Sequence, residues 1–564
     1  MKHLYLLTFL LCFAQGLFAQ NNSNPNARVT GNLQSNGNFF ISDPRVGASN
    51  TPQYDYQKFG AETWMNLNYS NWGFDFGLRF DMFNNSNLLN PIGSYSDEGI
   101  GRWYVHKNIH KFEFTGGYIY DQIGAGIIYR AYEERALMID NALKGVKIGY
   151  NINDNWRIKA FTGRMKRQFD EYSTVVRGGA LDGFIKLDSA SSISFAPGIG
   201  VVARTYSEVT VNQIANTIAT YPPQDSIGVQ FNTYAASLYN TMTAGNFTWY
   251  AEGAVKSDDV MYNPFEPTAT GGNGKLINEP GYTVYSSLTY AQEGFGITFE
   301  GKRTENFAFR NSPDQIAIQG TINFLPPMAR QNTYRLTTRF APATQELGEQ
   351  AFQLDGKYAI NKRMSIGINI SDIYLLDGTE IYREIAPEFT FKKNRKWQVL
   401  AGVQMLKYNI FVYQAKRDET DKEDVLGFLA SGEADYVEAL TPYAEFLYKL
   451  SAKKSIRVEA QYLRTDDEFG SWLNGVVEFG WAPHWLIYVS NMYKLKHDES
   501  KEYSSDKTKF DDIHFPSIGA VYSYRANRFS MAYVKQVEGI NCAGGICRYE
   551  PAFNGFRLNV NSSF

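Results

Sequence analysis

Residues 72–82 read Trp72-Gly73-Phe74-Asp75-Phe76-Gly77-Leu78-Arg79-Phe80-Asp81-Met82. Trp72, Phe74, Phe76, Leu78, Phe80 and Met82 are apolar. Gly73, Asp75, Gly77, Arg79 and Asp81, which separate them, are small or charged. Successive side chains of a β-strand point to opposite faces. The stretch therefore predicts a strand with one face in an apolar medium and the other in a polar one. The same period returns along the chain. Phe112, Phe114, Tyr118 and Tyr120 alternate with Lys111, Glu113 and Thr115; Trp156, Ile158 and Ala160 with Arg157 and Lys159. Tyr334, Leu336 and Phe340 alternate with Arg335, Thr337 and Arg339; Ile456, Val458 and Ala460 with Arg457 and Glu459.

A soluble sandwich and a transmembrane barrel both alternate. In the barrel the apolar face meets lipid and the polar face lines the lumen. Three features select the barrel. The segments run about ten residues, the reach of a tilted spanning strand. Aromatics crowd the strand ends, as interfacial belts require. Short turns (Ser70-Asn71, Asn153 to Asn155, Gly245-Asn246, Ala526-Asn527) alternate with long polar connections (Asn84 to Ile100, Met165 to Val176, Ser207 to Asp225, Ser257 to Glu279, Lys416 to Glu433, Lys496 to Asp512). The expectation is an all-β, large antiparallel transmembrane β-barrel with short periplasmic turns and long extracellular loops. A count that keeps the parity even adds a first strand at Val29 to Ile41 and another at Gln315 to Phe324, turning at Leu325-Pro326-Pro327. It gives 26 strands, within a range of 22–26.

Composition agrees. Of 564 residues, 15% are aromatic and 20% charged, and 55 Lys and Arg balance 58 Asp and Glu to a net charge of -3. That balance excludes a strongly basic nucleic-acid binder. Residues 1–19 read as a signal peptide: Lys2 and His3, an apolar run from Leu4 to Phe13, and a cleavage site at Leu17-Phe18-Ala19. Residues 20–57 form an N-terminal segment with a possible first strand, and 58–564 the barrel. The expected location is the cell outer membrane, as an integral protein. Cys542 and Cys547, separated by a spacer containing Gly544 and Gly545, predict a disulfide in an exported chain; a metal site on the pair is weaker, because no histidine accompanies it.

The segment Ile123 to Lys147 stands out. Arg130, Glu133, Glu134, Arg135 and Asp140 place five charges within eleven residues, with Tyr132 and Asn141 beside them. A barrel this wide has a lumen that strand side chains cannot fill. The segment is expected to fold inward as a plug and to pack on lumen charges such as Arg79, Asp75 and Arg339. Two roles stay open for it, a pinned loop or a solute constriction. The acidic run Asp418 to Asp424 reads as a solvated loop. No metal motif, no cofactor motif and no Gly-x-Ser-x-Gly nucleophile turn occurs, so no catalytic residue, metal ligand or cofactor is assigned and an enzyme is not expected.

Two resemblances add to this. Phe556, Leu558, Val560 and the terminal Phe564 resemble the signal by which barrel-assembly machinery recognises its clients. The block Gly124-Ala125-Gly126, Arg130, Tyr132, Glu133, Arg135, Asp140-Asn141 and Gly145, with Cys542-Ala543-Gly544-Gly545-Ile546-Cys547-Arg548, Pro551 and Gly555, resembles an uncharacterised family of outer-membrane barrels of Bacteroidota, known as a domain of unknown function. This second likeness implies location and fold and carries no activity. The function expected is a channel or passive transporter for polar solutes with a partly plugged lumen. The alternative is a non-conducting scaffold of an envelope assembly or secretion complex. Expected partners are outer-membrane lipid, the assembly machinery, and surface or periplasmic proteins.

Overall fold

The computed structural model describes residues 27–89, 93–187, 192–271, 273–315, 319–414, 436–497, 508–543 and 546–564. The leader reading and the acidic run at Asp418 lie outside these residues.

Twenty-four antiparallel strands close into one barrel. The short run Ile185–Lys186 continues the strand Asp170–Gly183 along the same neighbour. Arg28–Phe40 is the first strand, and it pairs on one side with Phe59–Asn71 and on the other with the last strand, Phe553–Ser563. This seam removes both sheet edges, so every strand finds partners for its backbone groups inside the sheet.

The outer wall is apolar and the inner wall polar, the reverse of a soluble protein. On Phe74–Ser86, Leu78 is 45% exposed while Arg79 and Asp81 are each 2% exposed. Ile148, Val201, Leu238, Ile366, Val489 and Leu558 continue the exposed band around the barrel. Glu252, Lys256, Asp259, Lys302, Glu349, Glu384 and Glu459 are buried on the inside. Rings gather at the short-turn rim: Phe112 on Tyr150 (4.7 Å between centroids), Phe247 on Tyr290 (4.6 Å) and Trp485 on Tyr522 (4.7 Å). An aromatic belt of this kind sits where an apolar slab meets water.

The strand count differs from the best sequence count by two. Tyr334 to Phe340 and the described residues of Gln315 to Phe324 form no strand; both stretches belong to one long connection, 306–347, whose described residues pack inside the lumen. Two long loops also dissolve. Met165 to Val176 is a tight reversal between Trp156–Arg167 and Asp170–Gly183. Ser257 to Glu279 is the outer part of a hairpin of 21 and 20 residues, Phe247–Pro267 and Asn273–Gln292. Its polar residues are tolerated because the hairpin rises beyond the apolar band. A helix, Glu208–Ile218, leans on it through Ile214, Ile218, Val260 and Leu276, and Ser207 caps its N-terminus by accepting from the Thr210 amide at 3.2 Å.

Candidate functional site in the lumen

Two segments enter the lumen from the long-loop end. The first leaves the strand Phe112–Ile119 and returns at Leu143–Asn153. Gly124 (φ +55°) and Gly126 (φ +100°) turn it inward, a geometry that side-chain-bearing residues rarely adopt. The Glu252 carboxylate on the wall accepts from the Ala125 amide at 2.7 Å. Ile123, Ile127, Ile128 and Tyr129 are then fully buried against Phe161, Met165, Val176 and Val202 of the wall. Tyr129 stacks on Phe161 with 4.3 Å between centroids.

Beyond this apolar anchor the segment meets charge. Arg79 donates from Nε to Asp81 (2.7 Å), from Nη1 to Glu133 (2.9 Å) and from Nη2 to Asp140. Lys166 of the strand Trp156–Arg167 reaches Asp140 as well and stands 3.8 Å from Asp81. The Tyr120 hydroxyl donates to Asp140 at 2.8 Å. Arg135 donates to Glu133 (2.6 Å) and to Gln34 (2.8 Å) on the first strand. Three cations, Arg79, Arg135 and Lys166, thus face three carboxylates, Asp81, Glu133 and Asp140. Burial alone raises the Asp140 carboxyl, but Lys166 and Arg79 outweigh it and hold the group at about 2.

The residues singled out in the sequence divide by role in geometry. Glu133, Arg135 and Asp140 join the charge cluster. Arg130 does not: its guanidinium covers the rings of Phe324 (4.1 Å) and Tyr132 (4.4 Å). Glu134 accepts from the Ala136 amide at 3.1 Å and caps the short turn Arg135–Leu137. Asn141 clamps the segment, accepting from the Tyr132 amide (2.7 Å) and donating to the Thr321 carbonyl (3.1 Å). Of the three wall charges expected to meet the segment, Arg79 does. Asp75 lies at the other rim and accepts from Ser70. Arg339 belongs to the second segment, 3.8 Å from Glu468.

The second segment, 306–347, leaves the strand Phe295–Glu305 and returns at Gly348–Asn361. It pairs with the first through main chain: the Arg130 amide donates to the Ile322 carbonyl and the Phe324 amide to the Gly126 carbonyl, both at 2.9 Å. Phe307, Phe309, Ile322 and Leu325 complete the apolar anchor of the first segment. Wall cations bind its carbonyls: Lys256 to Ala308 (2.6 Å), Arg204 to Arg310 (2.9 Å) and Lys302 to Pro326. It then crosses to the far wall. Asn332 donates to Glu384 (2.9 Å), Arg330 to Glu388 (3.1 Å), and Met328, Leu336 and Phe340 enter a second apolar cluster with Trp472 and Tyr382. Sequence reasoning missed this segment as a plug.

At the seam, the Phe564 amide and carbonyl both bond Gly31, at 3.0 and 2.9 Å. Phe556 and Leu558 face outward at 40% and 49% exposure, and Val560 opposes Phe529. Cys542 and Cys547 oppose each other across the hairpin Gly539–Ala543 and Ile546–Glu550; their side chains lie outside the described residues. Among the described residues no group of three or more His, Cys, Asp or Glu is placed to hold a metal ion.

A family model described as "Family of unknown function (DUF6029)" matches residues 1–564. No curated protein matches the chain. Among solved structures, the translocation pore of the P pilus usher PapC aligns at 9% identity and a TM-score of 0.42, covering 95% of this chain and 99% of that one. The siderophore receptor PirA from Pseudomonas aeruginosa aligns at 8% identity and a TM-score of 0.38, covering 96% and 81%. The outer membrane transporter YddB from Escherichia coli aligns at 10% identity and 0.38, covering 95% and 81%.

Proposed function

The chain belongs to the DUF6029 family, and because that family brings no activity with it we propose a function from the barrel itself: an integral outer-membrane pathway for polar and charged solutes, kept shut by its two inward segments. One observation carries this. The first segment is held to the wall by a charge-balanced set of ion pairs centred on Arg79 and Asp140. Ion pairs are costly to bury and are tight only while complete, so the contact suits a gate better than an apolar weld does. The outer apolar band and the aromatic belt support the membrane location, and the opposed Cys542 and Cys547 support a bridge that stiffens the hairpin beside the mouth. The role is passage, not catalysis.

The test is single-channel recording of the purified chain in a planar bilayer. Rare, brief openings are expected for the native chain and a raised open fraction for Asp140→Asn. Silence from both, with the barrel folded, would overturn the pathway.

A second reading, a non-conducting scaffold, draws on the long hairpin and its helix. The hairpin strands, of 21 and 20 residues, overtop their neighbours of 13 and 11 by about eight or nine residues, or ~25–30 Å at roughly 3.3 Å per residue. It offers a firm platform to surface proteins. Under this reading a deletion strain keeps its solute uptake and loses surface proteins.

A further inference from the structure

The second segment ends in a turn whose arginines the fold does not use up. The Thr338 amide donates to the Tyr334 carbonyl at 3.2 Å, closing one helical turn. The wall fixes that turn: the Leu336 amide donates to Gln461 at 2.7 Å, and Gln404 donates to the Thr337 carbonyl at 3.1 Å. Leu336 and Phe340 are buried in the wall cluster. Arg335 and Arg339, four residues apart, therefore share one side of the turn. Both line a cavity of ≈ 310 Å³, with Thr338, Gln414, Gln536 and Tyr549.

The arginines on this cavity are not paired as Arg79 is. Arg335 is exposed within the lumen and lines the cavity, and its side chain has no ion pair and no hydrogen bond among the described residues. Arg339 lies over the Trp472 ring at 4.5 Å, and its contact to Glu468, at 3.8 Å, is longer than a hydrogen bond. Arg557 of the last strand, which does not line the cavity, stands 3.9 Å from Glu550 and donates to Gln536 at 3.2 Å. Glu538, also on the cavity, is already held by Lys509 (3.0 Å) and Tyr549 (2.8 Å). Two guanidinium groups and three carboxylates thus line the cavity, and no carboxylate stands within hydrogen-bond distance of either guanidinium: Glu538 is held elsewhere, Glu550 stands beside Arg557, and Glu468 is 3.8 Å from Arg339. Burial lowers the Arg339 guanidinium to about 10, so it stays charged at neutral pH. Two neighbouring guanidinium groups without a close carboxylate attract an anion, and a guanidinium fork matches the planar oxygens of a carboxylate or phosphate.

We propose that the cavity at Arg335 and Arg339 binds a small, multiply charged oxyanion, a carboxylate or phosphate compound. This deepens the pathway reading by naming the charge of its solute, and it rests on that reading only for what happens after binding. The experiment is calorimetric titration of the purified full chain in detergent with citrate, with pyrophosphate and with neutral glucose, alongside the fluorescence of Trp472. Saturable binding of citrate, pyrophosphate or both is expected, with no response to glucose. Citrate alone would assign carboxylates; pyrophosphate alone would assign phosphates. Arg335→Gln should weaken Kd about tenfold or more, the loss of one charged hydrogen-bonding partner, and Arg335→Lys should recover part of it. The Arg335 side chain bonds nothing among the described residues, so this variant should fold as the native chain does, which heat-modifiable gel mobility checks. Absence of saturable binding by either anion, or an unchanged Kd in Arg335→Gln, overturns the site. Binding without current would retain the site and remove the pathway; current without binding would do the reverse.

Discussion

Replacing Asp140 by asparagine keeps the shape of the side chain and removes its charge. In the native chain that carboxylate accepts from Arg79, Lys166 and Tyr120 together. After the change Arg79 still has Asp81 and Glu133, but Lys166, with 3% of its side chain exposed, keeps only Asp81 at 3.8 Å. Removing one partner of a buried pair costs about 3–5 kcal/mol, because the other charge stays buried. The surviving bonds of Arg79 place the cost at the low end. Each 1.4 kcal/mol is tenfold in an equilibrium, so the first segment should leave the wall about 100-fold more often. The assay is hydrogen exchange with mass spectrometry in detergent. Peptides within residues 123–142 should lose protection by about that factor, while peptides from the strand Phe112–Ile119 should not change. A change below roughly threefold in a folded barrel would refute the claim that these ion pairs hold the segment.

Other outcomes are equally specific. The Asp140 carboxyl is held at about 2, below its ordinary 3.8, so its contribution is full above the ordinary value and fades as pH falls toward 2. Protection of residues 123–142 should match at pH 7 and pH 5 and fall near pH 3; loss of protection at pH 5–6 would assign the hold to another group. Deleting Phe564 removes both bonds to Gly31 at the seam, and the yield of folded, heat-modifiable barrel should drop; native yield would show that the seam closes without it. A Cβ on Gly145 would stand 2.0 Å from the Thr162 carbonyl, whereas one on Gly296 meets nothing within 4 Å. Gly145→Val should therefore cost about 1–3 kcal/mol in thermal stability and Gly296→Val far less, and equal losses would contradict the packing.

The strands were legible because a barrel wall imposes period two on every spanning residue, and Phe74 to Met82 shows it without interruption. The first segment was legible because paired charges crowd a glycine-rich break between two such strands. The second was not. Leu336 and Phe340 lie four apart, a spacing that fits two strand repeats and also one helical turn, and Arg335 and Arg339 echo it. Parity could not decide, since 24 and 26 are both even. The available signal was proline: Pro313, Pro326, Pro327 and Pro342 all fall within residues 306–347, and strand interiors avoid proline. The pairing of Arg79 with Asp140 needs the closed wall, because the two stand on chain segments that meet only through the sheet.

The two inward segments share main-chain bonds, Arg130 to Ile322 and Gly126 to Phe324. Neither can withdraw without stripping the other of backbone partners, and unpaired backbone groups are expensive away from water. Their release is therefore a single cooperative event. Recorded current should switch between two levels with no graded intermediates, and weakening either segment should lengthen the dwell in the upper level while leaving the height of the step unchanged.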